Sequence, residues 1–182
     1  MTKLRLNKME AARRQIEAAI RMTFAGADPT ATHSVAAAAR GIIADLAEEK
    51  QIESYLCFTD WIAPGHESEF WNAMNHSANF LKHADRDPVE ILKLDEEETD
   101  FVILFAAKWY RDLSGESNRV LSVFILWFSI KHPGVLGDAA KAALQSAGFL
   151  DQMEQAIKHA SVLSRENLLL LGQKMLEMAE AR

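Results

Sequence analysis

The chain has 182 residues, of which 49% are hydrophobic and 25% charged, with a formal net charge of −6 and a single cysteine. Those values fit one globular domain over 1–182, or one domain with a C-terminal helical annex over 136–182. The lone Cys57 excludes an internally disulfide-stapled fold, and 8 Gly and 4 Pro exclude collagen-like and low-complexity classes.

The charge is uneven. Residues 1–40 are basic, 41–100 strongly acidic, and 101–182 near balance. A basic footprint over the whole chain, the mark of a nucleic-acid binder, is absent. The longest apolar run, Val120 to Ile130, is too short to span a bilayer and is bracketed by Arg119 and Lys131. With no signal-peptide pattern at Met1-Thr-Lys-Leu-Arg5, the expected location is cytoplasmic, with no membrane partner.

A first helix reads from Asn7 to Ala25, with Met9, Ala12, Ile16, Ile20 and Phe24 in one apolar stripe. Glu10–Arg14 and Glu17–Arg21 are its expected i,i+4 ion pairs, and Gly26 is its stop. Asp28-Pro29 starts a second helix that runs to Glu49. Residues 52–66 give no clear element. A third helix runs from Ser68 to about Ala84, closed by Asp87-Pro88, and Glu90–Leu94 reads as a short extended piece. Asp95 caps a fourth helix ending near Gly115. Its Glu96, Glu97 and Glu98 suit the positive end of the helix dipole.

Asn118–Lys131 is apolar almost all round and reads as a buried central helix. Its β-branched residues leave a strand as the alternative, but no partner strands are evident. His132-Pro133-Gly134 breaks it. Helices are expected over 138–147, 151–160 and 164–180. The fold class is therefore all-α, a multi-helix bundle around a central apolar helix.

The third helix carries the most informative pattern. Asn72, His76, Asn79 and His83 stand at i, i+4, i+7 and i+11, within a sector roughly 60° wide at 100° per residue. Lys82 and Arg86 flank the sector. Phe70, Met74, Ser77, Leu81 and Ala84 take the opposite, core-facing side. A solvated helix face usually carries Glu, Lys, Arg or Gln, which are better helix formers than Asn and His. The stripe therefore reads as an active site, a polar subunit interface or a hydrogen-bond network with a neighbouring loop.

A metal site is a weaker reading. His76 and His83 are two turns apart, about 10 Å along the axis. Asp85 and Asp87 lie nearby, and His33 or His66 would have to complete the ligands. No Cys-x-x-Cys or His-Glu-x-x-His is present. No metal and no cofactor are expected.

Asn79-Phe-Leu-Lys-His-Ala-Asp-Arg-Asp-Pro88 resembles a segment of an uncharacterised bacterial helical family, a likeness that covers about the first two thirds of the chain. The segment also resembles, distantly, the HEPN superfamily. That resemblance implies a compact, often dimeric helical bundle and a metal-independent ribonuclease. The family motif places Arg, often followed by a polar residue, four to six positions before His. Asn79 and His83 match the polar residue and the His, while Ala78 stands where the Arg is expected. On this resemblance His83 is a general acid or base toward an RNA 2′-hydroxyl. Asn79 and His76 assist it, and Lys82, Arg86 and Asn72 contact phosphate or substrate. The alternative is a non-enzymatic protein whose His/Asn face meets a second copy or a protein partner. A homodimer is expected on either reading, with the Asn72/His76/Asn79/His83 face or the C-terminal helix at the contact.

Overall fold

The computed structural model describes residues 3–51, 67–83, 85, 88–116, 118–135, 142 and 145–181. Among them are seven α-helices and no strand. They are α1 (Lys8–Phe24), α2 (Pro29–Glu49), α3 (Glu67–Phe80), α4 (Glu96–Ser114), α5 (Arg119–Lys131), α6 (Leu150–Ala160) and α7 (Arg165–Glu180). None of the described helices is long and apolar enough to cross a membrane.

The starts of these helices follow from side-chain acceptors for orphan backbone N–H groups. Glu10 N donates to Asn7 Oδ1, and Thr30 N and Ala31 N donate to Asp28 Oδ1. Glu97 N donates to Asp95, Leu121 N to Asn118, and Asn167 N to Ser164. Gly26 and Gly115 end α1 and α4 in the left-handed region (φ 63° and 67°), where a Cβ is strained.

The core is built from α1, α2, α4 and α5. The expected α1 stripe is buried, with Ala12, Ile16, Ile20 and Phe24 at 3% exposure or less. α2 lies against both α1 and α4, and its Ala36, Ala37 and Ala39 allow a close approach. α5 is the expected central helix, with Phe124, Trp127 and Phe128 at 0% exposure. Phe24 meets Trp127 edge to face at 5.2 Å, and Trp127 Nε1 donates to Leu168 O at 2.7 Å. α6 and α7 add Met153, Ala160, Leu168 and Leu176 to the same core. α3 packs chiefly on α2, and Trp71 reaches Trp109 of α4 at 6.4 Å.

Two sequence expectations change. α3 stops at Phe80 rather than Ala84, because Lys82 N bonds three residues back, to Asn79 O at 3.1 Å, and breaks the i→i−4 series. Glu90 stands 3.6 Å from His76 of this helix. On α1, Glu17 pairs with Arg13 rather than Arg21, and it also accepts from Asn118 Nδ2. Arg21 is drawn off to Glu180 at the end of α7. Most of the helix expected over 138–147, and the segment 52–66 with Cys57 and Trp61, lie outside the described residues.

Candidate functional site

The α3 stripe exists in part as a surface. Asn72, His76 and Asn79 share the outward face of the helix and are exposed. The opposite side buries Met74, Ser77 and Ala78 at 7%, 2% and 4% exposure. The amides of Asn72 and Asn79 make no hydrogen bond to any described residue. The reading of the stripe as an internal hydrogen-bond network therefore gains no contact from these two residues.

His83 sits past the end of α3, partly exposed, with its N–H on Asn79 O and its Nδ1 4.0 Å from Asp85 Oδ1. Lys82 is exposed in the same turn, and Arg86 lies outside the described residues. The surroundings of both imidazoles are acidic: Glu90 stands beside His76 and Asp85 beside His83. Among the described residues no cluster of three His, Cys, Asp or Glu side chains has metal-binding geometry.

Beneath α3 lies a buried polar cluster at the α2–α3–α4 junction. His33 of α2 has 0% exposure, and its Nδ1 is 3.0 Å from Thr99 Oγ1 of α4. Its Nε2 has no hydrogen-bond partner and faces Glu98 Oε1, also unpartnered, at 4.0 Å. Ser77 Oγ of α3 donates to Glu98 Oε2 at 3.0 Å, and Arg40 of α2 donates to Asn75 Oδ1 of α3. Burial lowers the His33 pKa to about 4, helped by the charges of Arg40 and Lys82. Burial also pushes Glu98 up, against the hydrogen bond from Ser77.

A second cluster joins α4, α5 and α7. Asp100, at 0% exposure, accepts from Lys131 Nζ at 3.0 Å and from Arg165 Nη1 at 2.8 Å. Lys131 also meets Glu97 at 3.0 Å, and Arg165 Nε donates to Glu96 at 2.6 Å. Burial opposes the Arg165 charge, but Asp100 and Glu96 outweigh it and raise its pKa. Beside this cluster opens a cavity of about 400 Å³ whose lining includes Thr23, Pro29, Thr32, Thr99, Asp100 and Arg165. Glu96 and Glu166 also line it, so the wall is net acidic, and Arg165, shared between Asp100 and Glu96, ties α7 to α4 as a structural clamp.

Sequence reasoning reached the exposed stripe but neither buried cluster. A signal for the first was present. His33, Ala36, Ala37 and Arg40 stand at i, i+3, i+4 and i+7, so two ionisable residues interrupt the buried stripe of α2. The helix dipole accounted for the acidic run only in part, because Glu96, Glu97 and Glu98 each also meet a side chain from another helix.

Compared with known proteins, the chain matches no family model, no curated protein and no solved structure.

Proposed function

We propose that the chain is a non-enzymatic interaction protein whose α3 face docks on a second copy of itself. The observation that carries this reading is the pair of exposed amides of Asn72 and Asn79, with no hydrogen bond among the described residues, beside the His76–Glu90 pair. An isologous two-fold contact needs a self-complementary patch. Each Asn supplies both donor and acceptor, and the imidazole and the carboxylate beside it add further hydrogen-bonding groups. Val89 and Ile91, on either side of Glu90, are 91% and 84% exposed. They supply the apolar area that drives association.

The HEPN-like ribonuclease has less support. Ala78, at the position of the expected arginine, is buried, and Glu90 and Asp85 beside the imidazoles repel a phosphodiester backbone.

Light-scattering mass in solution tests the proposal. The wild-type chain is expected at twice the chain mass. An Asn72→Arg/Asn79→Arg double variant is expected at the monomer mass, with its helical circular dichroism unchanged. RNA incubated with the wild type in excess EDTA is expected to stay intact. RNA cleavage that disappears in folded His83→Ala and Asn79→Ala variants would reverse the assignment.

A further inference from the structure

The His33 cluster is not used by the proposed contact. A fully buried imidazole that bonds through one nitrogen and leaves the other empty is costly, unless the neutral form is held by its surroundings. The charged groups that face it are Arg40 from α2, Lys82 just past the end of α3, and Glu98 from α4. Two of the three are cations. The one carboxylate is 4.0 Å away and is itself pushed toward its neutral form by burial. A proton placed on Nε2 in the closed structure therefore meets two cations and a single carboxylate that lies beyond hydrogen-bond distance.

Water reaches Nε2 most cheaply through α3. The empty nitrogen faces Glu98 Oε1, and the other oxygen of that carboxylate accepts from Ser77 on α3. Among the described residues, α2 and α4 pack along their lengths, whereas α3 meets the pair through fewer contacts. These include Arg40–Asn75, Ser77–Glu98, the Trp71–Trp109 contact and the small buried patch of Met74 and Ala78.

We propose that α3 is an acid-released lid over His33. Protonation of the buried imidazole lifts α3 from the α2–α4 pair and takes apart the His/Asn face that α3 carries. The release is a statement about the fold. Its regulatory meaning, acid dissociation of the dimer, rests on the contact proposed above.

Linkage gives the size of the effect. An open state that protonates His33 at its ordinary value of 6.5, against about 4 when closed, becomes about thirty-fold more populated between pH 7.5 and pH 5. Glu98 acts in the opposite sense, because its raised pKa favours the closed form on acidification. Acid-driven opening therefore points to the imidazole.

Amide hydrogen exchange, corrected for the intrinsic pH dependence, reads the release directly. The expected result is loss of protection over Glu67–Phe80 by up to about thirty-fold at pH 5, reduced by the opposing Glu98, with Arg119–Lys131 unchanged as the internal reference. The loss disappears in His33→Gln. It shrinks in Lys82→Gln, a change at an exposed residue that leaves the core intact and keeps the test informative if His33→Gln does not fold. The lid is overturned if α3 protection is independent of pH, if α3 and α5 lose protection together, or if either variant behaves as wild type. Repeating the exchange on Asn72→Arg/Asn79→Arg separates the two proposals. Release in that monomer supports the lid whatever the dimer does, and its absence there overturns the lid alone.

Discussion

His33 shows how one buried side chain can set the acid limit of the molecule. Its folded-state pKa lies below the unfolded value, so the unfolded chain binds more protons between them. Its contribution is complete above about pH 6.5 and is lost as pH falls from there toward 4. At about 1.4 kcal/mol per pKa unit, wild type should lose roughly 3 kcal/mol over that window relative to His33→Gln in urea melts. A wild type and variant with parallel pH profiles would remove His33 as the cause. Asp100 makes a second prediction at this scale. With Asp100→Ala, Lys131, at 7% side-chain exposure, and the partly buried Arg165 lose their shared carboxylate. Each cation keeps a second carboxylate, Glu97 or Glu96, so the cost falls below the about 3–5 kcal/mol of a buried charge left with no partner. Denaturant unfolding should show a loss of about 1.5–3 kcal/mol, the size of hydrogen bonds to a charged group, with the α7 amides the most affected.

The helices themselves were legible because their ends are written in single residues. Asn7, Asp28, Asp95, Asn118 and Ser164 each accept a capping hydrogen bond at a helix start, and Gly26 and Gly115 each close a helix. α5 was legible as the centre because its sequence is apolar on nearly every face. What stayed hidden depends on partners far apart in the chain. Arg21 meets Glu180, Asp100 meets Arg165, and Trp127 donates to Leu168 O. No local spacing announces such pairs. The end of α3 was misjudged for a related reason. The 3.6-residue period continues through Leu81 and Ala84, but Lys82 N bonds to Asn79 O three residues back and the regular helix ends at Phe80. Gly172 gives a test of helix packing. A Cβ there would lie 2.3 Å from Phe24 Cε1, and that ring is held against Phe124 and Trp127. Gly172→Ala gains helix propensity of about 1 kcal/mol. The overpacking, at about 1–3 kcal/mol, should outweigh that gain and lower the melting temperature. A raised melting temperature would mean that α7 moves freely on α1.

Across the whole molecule, a tightly packed frame of α1, α2, α4 and α5 is clamped by α7 and carries the more lightly held α3. The candidate stripe was readable in advance as far as Asn72, His76 and Asn79, because helical periodicity alone puts them on one face. The place of His83 past the end of α3 was not readable, because the turn after Phe80 sets it. The central claim is that this face pairs with itself. Hydrogen exchange of the wild-type chain across a dilution series tests it most directly, with concentration as the only variable. The account predicts that protection over 67–80 and 88–94 falls as the dimer dissociates, while 165–180 stays constant. Protection that does not depend on concentration, or that changes on α7 instead of α3, would contradict it.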